Sequence, residues 1–441
     1  MRFCKHGVRM SPDVLSEIDS PGGQHSRILA AVSAVAEPLT IRAAWLLSTV
    51  VAIERDAFVK LLEQLWPQDS GHEKAVSAIL SWPFVECTDD GYRMSDATAN
   101  AFRLDFLQAD EPLFRRAHEL LAALEADRET DDDPDETWFV RGRYAYYLAG
   151  FDQDNSIRVF GDGFAEPPRL DRTDARMWLS WLVIQQEDLL DEVPRAIAFF
   201  RGFRAYISGA RQQARGAFDA VLKDEEVDIY RALAAHFSGL LRRGDEPDAG
   251  IELLRESISL SVELGLTENE IMARNSLVTG LIANPDVEDL TEAWELGELN
   301  LERALATQDP YLIAWCRTTS ALSHWSYLTN RRMEIGEQAH ELAPRLVAEL
   351  DEVVREVFFT ETETALQATN EAACILRDVG AYDEALGLLQ GVIAKLARVD
   401  TIPKQHLKRL SKTTGSMLKD AGPDRQSEVR EMLAQLDDLQ R

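Results

Sequence analysis

The sequence predicts an all-α chain, with a small winged-helix module first and a right-handed helical-repeat solenoid after it. Three observations predict this. Apolar residues recur at helical spacing along most of the 441 residues. One short segment, 84–95, changes period and carries the turn Asp89-Asp90-Gly91. From residue 193 onward, a small residue followed by an apolar residue four positions later returns again and again. Hydrophobic residues at 45% and charged residues at 28% are the balance of a folded chain.

Residues 28–126 read as the winged-helix-like domain. Apolar spacing sets one helix over 41–50, and a second over 54–66 that Pro67 stops. A third runs from Gly71 to Trp82, before Pro83. Residues 84–88 and 92–95 form a hairpin about the Asp-Gly turn, and helices follow near 96–107 and 111–125. Three helices and then a hairpin is the order of a winged helix, with Trp82, Phe84 and Tyr92 expected in its core. Residues 127–136 read as an acidic linker in which Pro134 blocks helix. Residues 137–192 form a connecting helical region. It holds helices over 137–150 and 173–190, and between them a long loop or short helix, because Gly161, Gly163, Pro167 and Pro168 interrupt the pattern.

Residues 193–400 read as paired amphipathic helices. Gly209, Ala214, Phe218 and Val221 give one instance of the repeat; Gly244, Ala249 and Leu253 give another. Gly380, Ala385, Leu389 and Val392 give the clearest, while Ala293 and Gly336 mark weaker ones. The small positions 214, 249, 293, 336 and 385 are 35, 44, 43 and 49 residues apart. A small residue lets the second helix of a pair approach the first, and the preceding glycine supplies the tight turn. Each pair has an apolar face it cannot cover alone, so neighbours must stack. Residues 401–441 read as polar capping helices.

The run Arg377-Asp378-Val379-Gly380-Ala381-Tyr382-Asp383-Glu384-Ala385, with Ala373 before it, resembles the turn and second helix of a tetratricopeptide repeat. The longer spacings are similar to the longer-helix repeats of bacterial regulators of the MalT type; the resemblance covers about 194–399. The N-terminal block, through residues 80–85 and 90–94, resembles the winged helix that follows the nucleotide-binding domain in STAND signalling ATPases. There it precedes a repeat sensor array, the order found here. No G-x-x-x-x-G-K-[ST] loop occurs in the sequence. The resemblance therefore implies a relative that lacks the nucleotide-binding domain.

Composition bounds the function. With 47 Lys+Arg against 76 Asp+Glu the net charge is −29, which opposes wrapping nucleic acid or anionic lipid with the bulk surface. No apolar run reaches the ~18–20 residues of a membrane span, and residues 1–10 show no secretory pattern, so a cytoplasmic location is expected. Cys4, Cys87, Cys316 and Cys374 match no zinc spacing and are expected as buried free thiols. His118-Glu119 and His340-Glu341 open like zincin motifs but lack the second histidine. Acid pairs such as Asp188/Asp191/Glu192 and Glu361/Glu363 are what 76 carboxylates produce by chance. No enzyme, cofactor or metal is expected. Across 28–107 six basic residues face eleven acidic ones, and helix 72–82 holds one lysine, so nucleic acid is not an expected partner.

Two surfaces remain as candidates. The first helix of each repeat should line a concave groove, where Arg231, Arg242, Arg274, Asn275, Arg317, His324, Asn370 and Arg377 could hold a peptide backbone or carboxylate. Trp294, Trp315, Trp325, Phe358 and Phe359 are expected in the core between pairs. Lys404, Lys408 and Lys412 fall at i, i+4 and i+8, with Arg409 and Lys419 nearby, and make a basic face. That face could dock an acidic partner or nucleic acid, or could simply be a solvated cap on an acidic solenoid. The expected function is a non-catalytic protein- or peptide-binding scaffold, or a sensory adaptor in bacterial signalling. The alternative is a DNA-binding transcriptional regulator whose repeats sense an effector.

Overall fold

A computed structural model describes residues 32, 36–128, 133–168, 172–190, 194–284, 290–329, 336–396, 398–399, 404–418 and 423–440. Cys4, residues 129–132 of the expected linker and Lys419 lie outside the described residues. Among the described residues there are 20 α-helices and one two-stranded hairpin, so the chain is all-α as predicted. It divides into two compact units, 1–209 and 210–441.

Unit 1 opens with α1 (Pro38–Ser48), α2 (Arg55–Leu65) and α3 (His72–Leu80), followed by β1 (Val85–Thr88) and β2 (Gly91–Met94). The strands are antiparallel, with Val85 opposite Met94 and Thr88 opposite Gly91. Ile53, between α1 and α2, bridges to Tyr92 on the other edge of β2. Gly91 is required there: its φ is +120°, and a Cβ would lie 2.5 Å from the Ile53 carbonyl oxygen. Six helices complete the unit: α4 (Asp96–Ala109), α5 (Glu111–Ala126), α6 (Pro134–Leu148), α7 (Gln153–Ala165), α8 (Arg172–Gln185) and α9 (Pro194–Ile207).

One expectation is corrected here, and one that allowed either loop or helix is decided. Pro134 starts α6 instead of blocking helix, because the first turn has no use for its missing N–H. The Asp133 carboxylate caps the helix by accepting from the Asp135 and Glu136 amides. Of the long loop or short helix expected at 151–172, the structure shows the helix: α7 has 13 residues and is capped by Asp152 accepting from the Asn155 amide. A glycine in a helix interior costs about 1 kcal/mol. Burying Ile157, Phe160 and Phe164, spaced by three and four, gives about 1.5–3 kcal/mol each and outweighs the two glycines.

Large aromatic side chains fill the core of this unit. Phe164 meets Phe203 at 4.7 Å, Phe199 at 4.9 Å and Phe200 at 5.7 Å, all edge-on. Helices on either side of the expected linker pack together, α5 against α6. Arg103 on α4, 1% exposed, binds the Tyr146 hydroxyl of α6 at 3.2 Å and also the Asn100 side chain and the Gln185 carbonyl at the end of α8. Trp82 and Phe84 stack edge-on at 5.2 Å, and each approaches buried Phe102.

Unit 2 contains α10 (Arg211–Leu222), α11 (Ile229–Arg242), α12 (Pro247–Leu264), α13 (Thr267–Ala283), α14 (Thr291–Thr307) and α15 (Pro310–Thr329). It continues with α16 (Glu337–Val357), α17 (Thr362–Asp378), α18 (Tyr382–Leu396), α19 (Lys404–Met417) and α20 (Pro423–Gln440). Each helix packs on the next, and α11, α13, α15, α17 and α19 also pack in succession as an inner layer. This two-layer stack is the predicted helical-repeat solenoid. Of the small positions, Ala214, Ala293 and Ala385 are buried, but Ala249 and Gly336 are exposed. Their place is taken by Gly250 and Ala339, since each residue advances 100° around a helix and a small register error turns a side chain outward. Gly250 packs so closely on the α11 end that a Cβ would lie 2.9 Å from the Arg243 amide nitrogen.

The inner layer also buries polar groups. His236 on α11 reaches Asn269 of α13 at 3.0 Å and Ser276 of α13 at 3.1 Å. The Asn269 amide in turn donates to Ser257 and Ser261 of α12. Such a network is satisfied in one helix register only, so it specifies how the repeats align.

Candidate recognition surface

Of the predicted groove residues, Asn275 is buried and the other seven are half-buried, most of them engaged by side chains of the same fold. Arg231 is half-buried and donates to Glu256 at 2.5 and 2.9 Å and to the carbonyl of Asp224. Arg242 forks onto both carboxylate oxygens of Asp219 at 2.8 and 2.9 Å. Arg274 pairs with buried Glu270 at 2.8 Å, and Asn275 beside it is 1% exposed. Arg317 meets Glu356 at 3.1 Å. His324 stacks on Trp294 at 5.1 Å, and burial pushes its pKa down. Asn370 accepts from the Thr413 hydroxyl at 2.7 Å, while Arg377 binds Asp378 and Ser416. Arg231, Arg242, Arg317, Asn370 and Arg377 bond to a neighbouring helix, whereas Arg274 pairs within its own helix.

Helices α11, α13 and α15 show no fully exposed position except at their ends. The inner helix α19 differs. Its Leu407, Leu410 and Met417 enter the core, and its opposite face carries Lys404, Lys408, Arg409 and Lys412, all exposed. Among the described residues these four form no ion pair. By contrast, four of the six basic residues of the N-terminal block are matched by a carboxylate: Arg42 with Asp69, Arg55 with Glu73, Lys74 with Glu37 and Arg93 with Glu86.

The rotation of α19 is fixed by contacts along α17. His406, 3% exposed, meets the Glu363 carboxylate at 2.7 Å, and Gln405 donates to the same oxygen at 3.1 Å. The hydrogen bond from His406 holds the Glu363 carboxyl below the usual carboxylate range. Farther along, Glu371 is pushed up by burial, with Asn370 hydrogen-bonded to it. The Cys374 thiol is likewise pushed up by burial, and Cys316 is raised to about 12, so neither thiol is poised for chemistry. Cys87, expected to be buried, is exposed on the hairpin.

The sequence pointed to the lysines through their four-residue spacing. It did not foresee the exposure of Phe359. Phe358 is buried as expected, but Phe359 is 60% exposed, with the Arg398 guanidinium 5.5 Å from its ring. Lys395 sits 5.3 Å over Phe358. The position of Phe359, just past the end of α16, is what turns it outward, and periodicity does not extend there. Trp325 is buried, and Trp294 and Trp315 are half-buried.

No described helix is long and apolar enough to cross a membrane. Among the described residues no group of three or more histidine, cysteine or acidic side chains could hold a metal ion. No protein-family model matches the chain, and no curated protein matches it. Among solved structures, it is similar to a signal transduction ATPase with numerous domains (STAND) that carries a tetratricopeptide repeat sensor, from Pyrococcus horikoshii. The identity is 12% and the TM-score 0.41, over 97% of this chain. The chain spans 64% of the length of that protein.

Proposed function

We propose that the chain is a non-catalytic protein-recognition scaffold, of the kind that serves as a sensory adaptor in cytoplasmic signalling. The observation that carries this reading is the exposed, unpaired cationic face of α19, set on a rigid helical-repeat frame in a chain of net charge −29. A charged surface left unmatched where most other cations are matched is suited to a partner. Recognition would use this face rather than a concave channel, since the arginines expected there are engaged within the fold. In the same reading, residues 38–94 act as a winged helix. The three helices, the hairpin and the Ile53–Tyr92 bridge support that arrangement. Its paired cations favour a role in protein contact over one on DNA.

Affinity capture from the source cells with the whole chain, followed by mass spectrometry after nuclease treatment, tests the reading. A protein recovered in near-stoichiometric amount is the expected result. Recovery of nucleic acid alone, released by moderate salt, would replace the scaffold with the DNA-binding regulator.

A further inference from the structure

We infer that the outer face of α19 is a docking site for an acidic segment of a partner protein, one presenting carboxylates about 6 Å apart. This rests on the scaffold reading above and names the chemistry of its partner. Lys404, Lys408 and Lys412 are four residues apart on one helix, and a helix rises ~1.5 Å per residue, so their stems project at steps of about 6 Å. A helix with Asp or Glu at i, i+4 and i+8 presents the matching row.

The face cannot turn away. On the α17 side it is fixed by His406 to Glu363, by Thr413 to Asn370 and by Ser416 to Arg377, and below it Leu407 and Leu410 are buried. Glu363 and Glu371 of α17 feel Arg409, and among the described residues no carboxylate forms an ion pair with Lys404, Lys408 or Lys412. Between residues 395 and 412 the chain carries Lys395, Arg398, Lys404, Lys408, Arg409 and Lys412 against a single acid, Asp400. Exposed Phe359 under Arg398 adds an apolar contact close by in the chain. Six residues separate Arg398 from Lys404, at most about 20 Å of chain.

A protein segment fits better than nucleic acid. The lysine row is only three charges long, and a duplex continuing past it would meet the acidic surface of a chain with net charge −29. A short acidic helix ends where the lysines end.

Fluorescence anisotropy on the full chain at low salt tests the inference. The probes are a labelled alanine-rich helical peptide with Glu at three positions four residues apart, its Glu→Gln counterpart, and a single-stranded oligothymidine. An exposed ion pair contributes about 1.4- to 5-fold in affinity. Three such pairs give about 3- to 125-fold, and charge reversal adds repulsion, so the triple change Lys404→Glu, Lys408→Glu and Lys412→Glu should weaken binding of the acidic peptide by about tenfold. The control Lys60→Glu with Lys223→Glu, at exposed sites elsewhere, should leave it unchanged, and the Gln peptide should not bind. Equal binding to the triple variant, no binding of the Glu peptide, or preference for the oligothymidine overturns the inference. A milder variant, Lys408→Gln with Lys412→Gln, and a thermal melt separate lost docking from lost folding. If a protein captured from cells still binds the triple variant, this docking face fails while the scaffold reading survives.

Discussion

Unit 1 and unit 2 solve the same packing problem with opposite materials. Unit 1 fills an irregular space with large rings: Phe160, Phe164, Phe199, Phe200 and Phe203 interlock, and buried Arg103 ties three helices by hydrogen bonds. Unit 2 brings helices together on small residues, Ala214, Gly239, Gly250, Gly297 and Ala385, and sets their register with the His236–Asn269–Ser276 network. The difference teaches that a repeat stack depends on close approach repeated many times, whereas a single irregular core depends on a few large side chains. Truncating one ring should then cost more than perturbing any one small-residue contact.

The sharpest test is Phe164→Ala. Phe164 is fully buried and meets three other rings, so removing it costs about 3–5 kcal/mol. Native-state hydrogen exchange should show protection lost in α7 and α9 and retained in α11 and α13. Equal loss in both units would break the comparison.

Acid should also strike unit 1 hard. His118 is fully buried between α5 and the end of α6, its Nδ1 donating to the Tyr147 carbonyl at 2.9 Å. Burial lowers its pKa from 6.5 to about 4, with nearby Arg103 adding to the effect. Because the unfolded chain takes up the proton first, stability is complete above pH 6.5 and falls as the pH drops toward 4. The loss from this one group approaches ~3 kcal/mol, at most ~1.4 kcal/mol per pH unit. Urea titrations between pH 7 and 4 should show that slope, and His118→Phe should flatten it.

The two units were also unequally legible. Helices α2, α3 and α5 and the hairpin followed from proline stops, the Asp-Gly turn and a clean apolar period. α7 was legible only as a choice between long loop and short helix, because Gly161 and Gly163 weaken a helical pattern that tertiary burial enforces. In unit 2 the repeat was visible in Gly380, φ +80°, and buried Ala385, yet its register slipped at Ala249, where Gly250 bears the contact. Groove candidates suffered most. Arg274 and Asn275 look like ligand-binding residues by type and spacing, but whether a polar side chain faces a ligand or the next helix depends on the neighbour, which a single strand of sequence does not display. The lysines of α19 were legible because exposure and periodicity coincide there.

Gly250→Ala probes the close approach itself. The added methyl would stand 2.9–3.0 Å from backbone atoms of Arg243 and the Gly239 carbonyl, which cannot yield as a side chain would. Alanine gains up to about 1 kcal/mol in helix propensity, but overpacking costs about 1–3 kcal/mol, so a net loss of roughly 1–2 kcal/mol is expected. Exchange protection should fall in α11 and α12. A stabilised variant would mean that propensity, and not approach, limits this repeat.

The smallest effect should come from the surface. Arg255 on α12 bridges to Glu252 at 2.8 Å and to both oxygens of Glu292 on α14 at 2.8 and 3.0 Å, joining successive outer helices. One guanidinium nitrogen reaches both Glu292 oxygens and another reaches Glu252, and the paired carboxylates hold the guanidinium pKa up. All three side chains are exposed, however, and water and salt screen them. Arg255→Ala should cost below about 1 kcal/mol, and the cost should shrink further between 50 mM and 1 M salt. A larger, salt-resistant loss in thermal melts would place part of the register of unit 2 in its outer layer, and the contrast with the buried polar network of the inner layer would have to be redrawn.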